Sequence, residues 1–288
     1  MTEADLAPRK DHKQENFPVA SFIIKPAHRA AIMAFYRFAR LADDVADHPT
    51  LPAAERLAQL EKMRATLAGE SDDDATSLAL RQVLAERGLS PAHGLELLAA
   101  FRQDVAKSRY ANWDELIDYC RHSAMPVGRF VLDVHGEART TWPANDALCA
   151  ALQAINHLQD CAKDYRELDR VYLAGDLMAL AGTSVEALTA PKSTPALRSV
   201  IVEMAQRTQT LLDTARPLAS QIKDRRLAYE VALIQRLAED LTAKLIARDP
   251  LSERVHHRPL EVLGLVILAG KDQIAGRRPP RDSRGRAE

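Results

Sequence analysis

The sequence has few of the features that mark several other protein classes. Only three of its 288 residues are cysteines, and Cys120, Cys149 and Cys161 are too few and too irregularly spaced for a disulfide framework or a zinc site. Such cysteine usage predicts a reducing cytoplasm. With 39 basic and 40 acidic residues the net charge is −1, which gives no global indication of nucleic-acid binding. We therefore expect no nucleic-acid partner.

Long apolar stretches are also missing. Residues 1–17 lack the apolar core of a signal peptide, and the apolar stretch at 262–270 is far shorter than the roughly 20 residues that span a bilayer. A soluble or peripheral protein is expected. Residues 276–288 carry five arginines and two prolines, which predicts a disordered, solvated tail, with contact to anionic lipid headgroups as the alternative. Residues 1–14 are predicted to be flexible.

What remains is a helix-forming composition. Hydrophobic residues make up 47% of the chain, glycines number only 11, and β-branched runs are scarce, so an all-α fold is predicted. No Gly/Ser-rich or Pro-rich linker divides the chain, which favours a single domain over 15–275. Pro143 is expected to precede the sixth helix, and 181–195 to form a loop that holds at most one short helix. The predicted helices cover 27–47, 53–69, 74–87, 91–107, 113–136, 145–167, 196–222, 224–247 and 260–275.

A first acidic motif ends the first predicted helix. Asp43 and Asp47 are four residues apart, so both carboxylates lie on one helix face, where like charges repel unless a cation lies between them. Magnesium is typically held by one or two carboxylates together with substrate phosphates, so the spacing suits a diphosphate site. Asp44 is a secondary candidate, and Arg40, one turn earlier, is placed to hold a phosphate oxygen. The alternative is an acidic helix end without function.

A second acidic motif lies near residue 160. Gln153, Asn156, Asp160 and Asp164 follow one another at spacings of three, four and four, which makes a continuous polar stripe of short side chains on one helix face. The alternatives are a buried polar network and a solvated face. Taken together, the two motifs predict facing helices that hold metal ions with a diphosphate between them, where the ions neutralise charge on the leaving group.

Four segments carry a resemblance to the squalene/phytoene synthase family, and it covers about residues 15–270. Within that family the chain is most similar to the bacterial branch that makes hydroxysqualene for the hopanoid pathway. The two aspartate signatures are specific for the family, while the first and third segments favour this branch over phytoene synthases. The segments are ENFPVAS (15–21), FYRFARLADDVAD (35–47), YCRHSAMPVGR (119–129) and NHLQDCAKDYRELDRVYL (156–173).

The resemblance implies a helical bundle of the isoprenoid synthase type with a central cavity. It implies that Mg²⁺ and a prenyl diphosphate are held by Asp43, Asp47, Asp160 and Asp164. Residues that match substrate-contacting positions of the family are Asn16 and Phe17 in a flap, Arg40, Gln153, Asn156, Arg170 and Tyr172 near the diphosphate, and the late arginine Arg254. Two positions depart from the family pattern, where glycine is common at Asp169 and proline at Ala174.

The segment between the two motifs is rich in small and apolar residues. Gly128 inside a predicted helix costs about 1 kcal/mol relative to alanine, which indicates a packing or functional reason, and close approach of a long isoprenoid chain beside Val127 would supply one. The aromatic side chains Tyr36, Phe17 and Tyr119 have faces that would stabilise a carbocation, with ordinary core packing as the alternative. His122 and His157 are expected to be structural, since magnesium avoids imidazole.

The leading functional hypothesis follows from the resemblance. It is Mg²⁺-dependent ionisation of presqualene diphosphate, rearrangement of the cyclopropylcarbinyl cation and quenching by water. Head-to-head condensation of prenyl diphosphates is the main alternative, and the same aspartates would serve it. A non-catalytic assembly factor of the same fold and a lipid carrier are more remote alternatives. The sequence predicts no oligomeric state.

Overall fold

The computed structural model describes residues 25–257 together with Glu261 and Val266. Helices dominate this part of the chain, so the prediction of an all-α fold is confirmed. Of the predicted helix at 260–275 only Glu261 and Val266 are described, and both are helical. The predicted flexible ends lie outside the described residues, and the predicted domain over 15–275 stays a prediction. The helices are α1 (Pro26–Ala46), α2 (Ala53–Ala68), α3 (Ala75–Glu86), α4 (Ala92–Ala106), α5 (Trp113–Ser123), α6 (Met125–Val134), α7 (Trp142–Leu168), α8 (Gly175–Leu180), α9 (Pro195–Ala215), α10 (Leu218–Gln221) and α11 (Arg225–Ala247).

Local capping fixes several of these helix ends. The side chains of Asp74, Asn112 and Thr194 each accept a hydrogen bond from a backbone N–H in the first turn of α3, α5 and α9. Asp224 does the same for α11. Gly69 ends α2 in the left-handed conformation that glycine adopts at low cost.

Prolines make three of the predicted boundaries wrong. The predicted helix 113–136 is divided into α5 and α6 at Ala124, just before Pro126, and the predicted helix 196–222 is divided into α9 and α10 at Pro217. Proline has no N–H to donate to the preceding turn, so a helix tends to restart there. Pro143 lies inside the first turn of α7 and does not precede it, because that position needs no intrahelical N–H.

Two very short strands were not predicted. Residues Arg109–Tyr110 form β1 and residues Val171–Ala174 form β2, and the two strands pair in parallel. This pairing joins the end of α4 to the chain that follows α7. The unpredicted helix α8 begins directly after β2, and the predicted loop at 181–195 contains one 3₁₀ helix, Val185–Thr189.

The core is built around α7. This helix packs against α9, α6 and α11, and α9 packs in turn against α11. One face of α9 is apolar and largely buried, with Leu197, Ile201 and Met204 fully enclosed, while Leu211 is only partly buried. A second apolar cluster joins α1 to α2, α3 and α4 around Phe38 and Leu98. Across the described residues, no helix combines the length and the apolarity needed to cross a membrane.

Candidate active site

The two aspartate pairs line one cavity between α1 and α7. Asp43 lies in the last turn of α1 and Asp47 is the residue that ends this helix, while Asp160 and Asp164 project from α7. All four border a cavity of about 810 Å³. The structure therefore brings together the two motifs that the sequence separates by more than a hundred residues.

Acidic groups outnumber basic ones in this cavity. Six acidic side chains line it against three basic ones, Lys163, Arg170 and Arg254. Burial, reinforced by the charge of Asp47, raises the pKa of Asp43 to about 7. Burial together with Asp160 likewise raises the pKa of Asp164 to about 7. The cavity thus holds more carboxylates than its own cations neutralise, which favours the binding of additional cations.

Arg40 is directed at the aspartates of its own helix. Its guanidinium lies 2.7 Å from an oxygen of Asp43 and 2.5 Å from an oxygen of Asp44, and it is not among the side chains that line the cavity. These ion pairs orient Asp43, since a guanidinium with several donors fixes the carboxylates that it contacts.

Arg170 joins the two sides of the cavity. Its Nη1 lies 2.5 Å from Oδ1 of Asp47, and its Nη2 donates a hydrogen bond of 3.2 Å to the carbonyl of Asp104. The side chain is almost fully buried. The arginine that follows α7 is therefore held against the end of α1 and the end of α4.

The departure from the family pattern at residue 169 has a local explanation. Asp169 ends α7 with a φ of 51°, and it is the only non-glycine among the described residues with a positive φ. Asp tolerates this left-handed conformation better than most residues do. Arg109 stabilises it through a hydrogen bond to its carbonyl and an ion pair of 2.6 Å to its carboxylate. The second departure, Ala174, has a φ of −63°, a value that proline also adopts.

Aromatic and polar side chains form another part of the cavity wall. Tyr119 and Tyr172 line the cavity, and their ring centroids lie 5.9 Å apart. The Tyr119 hydroxyl donates a hydrogen bond of 2.8 Å to Asp104. Burial raises the pKa of Asp104 to about 7, although Arg170 and the Tyr119 hydroxyl act in the opposite direction.

Asp104 and His157 border the cavity but were not predicted to be functional. Asp104 is the single acid near the end of an otherwise ordinary amphipathic helix, so no local spacing distinguishes it. Its importance depends on Tyr119 and Arg170, which are distant in sequence. His157 lies beside Asn156 within the second motif, but imidazole is a poor ligand for magnesium, so the sequence predicts a structural role for it.

The remaining predicted residues fall into three groups. Gln153, Asn156 and Arg254 line the cavity that holds the aspartates. Tyr36, Val127 and Gly128 line a different, predominantly apolar cavity of about 270 Å³. Asn16 and Phe17 lie outside the described residues.

The apolar cavity extends along the same two helices as the acidic one. Leu152 of α7 borders the apolar cavity, whereas the next residue, Gln153, borders the acidic one. Phe35 and Phe130 stack in its wall, with ring centroids 4.0 Å apart. The site therefore combines a charged region with an adjoining hydrocarbon-like pocket.

Gly128 permits the close packing of α6 on α7 at this pocket. A Cβ atom at this position would lie 2.2 Å from Oδ1 of Asn145 and 2.5 Å from Sγ of Cys149. The close contact between α6 and α7 is therefore one reason for the glycine at position 128.

Comparisons with known proteins agree on one family. The family model described as "Squalene/phytoene synthase" matches residues 10–261. The hydroxysqualene synthase of Rhodopseudomonas palustris is 55% identical over 96% of this chain and 95% of its own length. That of Zymomonas mobilis is 52% identical over 95% of this chain and 93% of its own.

Solved structures support the same fold. The squalene synthase HpnC of Alicyclobacillus acidocaldarius is 28% identical, with a TM-score of 0.68 over 91% of both chains. A dehydrosqualene synthase solved with a ligand has a TM-score of 0.75 over 91% of this chain and 93% of its own, and at 18% identity this likeness concerns the fold alone.

Proposed function

Since the chain belongs to the squalene/phytoene synthase family, we propose that it converts presqualene diphosphate and water into hydroxysqualene and diphosphate, with Mg²⁺ as its metal. Members of this family typically depend on divalent metals. The observation that carries the proposal is the convergence of Asp43, Asp47, Asp160 and Asp164 on one cavity that adjoins an apolar pocket. The choice of product is supported by relatives named hydroxysqualene synthase that are 52–55% identical.

The side chains present fit a hard divalent cation. Burial, together with a neighbouring carboxylate, raises the pKa values of Asp43 and Asp164, and carboxylate oxygens are ligands that magnesium prefers. We assign metal binding to these two residues together with Asp47 and Asp160. Bound magnesium would neutralise the charge that develops on the departing diphosphate.

The protein's own cations and amides would orient the diphosphate. Arg170 is held in place by Asp47, and Arg254 lines the same cavity from the chain beyond α11. Gln153 and Asn156 lie on the cavity face of α7 and offer neutral donors. These four side chains would bind the phosphate oxygens and hold the scissile C–O bond against the aromatic wall.

The apolar pocket would receive the hydrocarbon chains. Its surface is almost wholly apolar, and Tyr36, Val127 and Gly128 contribute to it. Burial of isoprenoid carbon there is favourable in proportion to the apolar area removed from water. The face of Tyr119, in the acidic cavity, would stabilise a cation as the diphosphate leaves, whereas Tyr172 is stacked against His157. The roles of Asn16 and Phe17 stay predictions.

A product assay tests this proposal. Purified protein is incubated with presqualene diphosphate and Mg²⁺ without a nicotinamide cofactor, and the extracted product is identified by mass spectrometry. We expect hydroxysqualene and an equal amount of diphosphate, with no turnover when EDTA replaces Mg²⁺. Asp160→Asn should abolish turnover, whereas Asp114→Asn, on the first turn of α5 and outside the lining of the cavity, should not.

A parallel incubation separates the alternatives. If farnesyl diphosphate alone gave presqualene diphosphate or squalene, the protein would be a condensing enzyme of the same family. Unchanged presqualene diphosphate in the first assay would contradict the proposed function.

A further inference from the structure

His157 occupies an unusual position in the acidic cavity. The residue lies on α7 and its side chain is almost fully buried, yet it lines the cavity. Its ring stacks on Tyr172 with centroids 3.5 Å apart and an interplanar angle of 15°, and the ring of Tyr119 lies 6.2 Å away. The imidazole ring is thereby held against Tyr172, and Tyr119 is its next aromatic neighbour.

The Nε2 atom of His157 has no hydrogen-bond partner among the described residues. Buried polar atoms in native proteins are nearly always paired with protein or with ordered water. A buried, unpaired ring nitrogen on a residue that lines a cavity therefore points to a ligand or a water molecule that binds there during function.

The imidazole is neutral under physiological conditions. Burial, with a smaller contribution from the positive charge of Arg170, lowers the pKa of His157 to about 3. The titratable groups packed around the ring are the hydroxyls of Tyr119 and Tyr172 and the guanidinium of Arg170. A neutral ring in the Nδ1–H tautomer offers a lone pair at Nε2 and adds no positive charge beside a developing carbocation.

We propose that Nε2 of His157 accepts a hydrogen bond from the water molecule that quenches the carbocation, and then takes its proton. This inference rests on the proposed function. The water oxygen donates a lone pair to the cationic carbon, a C–O bond forms, one O–H bond breaks, and the proton moves to Nε2. The imidazolium then returns the proton to the diphosphate product or to solvent, so that one water is consumed and no redox partner is needed.

A weak base suits this step better than a strong one. The alkyloxonium ion formed by addition of water is a strong acid, so even a weakly basic imidazole accepts its proton. A stronger base at the same position would also remove a proton from a carbon next to the cation, which gives an alkene in place of the alcohol. Asp104, another buried group that lines the cavity, accepts the hydrogen bond of Tyr119 at Oδ2, while its Oδ1 has no partner among the described residues.

Replacement of the ring tests the assignment. His157→Phe keeps an aromatic ring against Tyr172 but removes Nε2, and His157→Gln supplies an amide oxygen as an alternative acceptor. His122→Phe is the matched control, because His122 is exposed on α5 and does not line the cavity. For each protein, diphosphate release from presqualene diphosphate is measured separately from the ratio of alcohol to alkene in the product, with ¹⁸O-labelled water marking the alcohol.

The expected result is a change in product and not a loss of ionisation. His157→Phe should release diphosphate but yield about 100-fold less alcohol relative to alkene. This factor is at the lower end of the rate effects typical for loss of a general base. His157→Gln should recover part of the alcohol, and His122→Phe should match the wild type. If His157→Phe keeps the wild-type ratio, or if diphosphate release falls in parallel with the alcohol in both variants, the inference is wrong. A wild-type protein that makes no alcohol would overturn the proposed function and this inference with it.

Discussion

The raised pKa values at the aspartates predict a steep dependence of magnesium affinity on pH. Asp43 and Asp164 each titrate at about 7 in the metal-free protein, because burial and a neighbouring carboxylate disfavour the charged form. Magnesium binds the ionised form, so protons and metal compete for the same oxygens. Each group is about half protonated at pH 7, and binding should release about one proton in total at that pH.

The size of the effect follows from these pKa values. Between pH 6 and pH 8, ionisation of one group with a pKa of about 7 strengthens metal binding by about tenfold, so two such groups give about 100-fold. If both carboxyl groups titrated at the ordinary value of about 4, affinity would be nearly constant over this range. The same pKa shifts also affect the free energy of unfolding. A carboxyl group whose pKa is raised on folding destabilises the metal-free protein as pH rises through 7, and magnesium should remove that cost.

Calorimetric titration of the metal-free protein with Mg²⁺ at pH 6, 7 and 8 would measure both quantities. Two buffers of different ionisation enthalpy at each pH give the number of protons released. Asp164→Asn removes one of the titrating groups and should reduce the 100-fold change to about tenfold. A constant affinity across this range, with no proton release, would refute the reasoning about buried carboxylates.

Three further predictions follow from individual contacts. Arg170→Gln should lower the free energy of unfolding by about 3–5 kcal/mol in urea titrations and abolish turnover, since Asp47 loses its buried partner. Gly128→Ala should cost roughly 1–3 kcal/mol in the same measurement, because its Cβ would clash with Asn145. Asp160→Asn should leave the melting temperature of the metal-free protein unchanged or higher while preventing turnover, since it removes a like charge from the cavity.

The parts of the fold that depend on local pattern were predictable from the sequence. Both acid-bearing helices follow from residue spacing, and α1 and α7 differ from the predicted ranges by at most three residues at either end. The breaks at Pro126 and Pro217 were missed because an amphipathic pattern continues across them, although a proline in each case precludes an unbroken ladder of hydrogen bonds. The two strands were missed because a pairing this short depends on partners distant in the chain.

The site was only partly predictable for a similar reason. Spacing placed the four aspartates on two helix faces, but it carried no information on what faces them. The Arg40 side chain points towards Asp43 and Asp44 and not into the cavity. Residue spacing alone does not tell which of the nearby carboxylates this arginine contacts. The roles of Asp104 and His157 arise only when α4, α5 and β2 pack beside α7.

The two parts of the proposed reaction, ionisation and quenching of the cation, need different surroundings. The carboxylates of α1 and α7 line the cavity together with the side chains of Tyr119 and Tyr172 and the neutral ring of His157. Ionisation requires strong fields around the leaving group, whereas the cation left behind survives only where no strong base reaches its neighbouring C–H bonds. Carboxylates that would bind the metal, together with weakly basic aromatic groups, meet both requirements within one cavity. On this reasoning the aspartates set the rate of diphosphate departure, while the aromatic wall sets whether the product is an alcohol or an alkene.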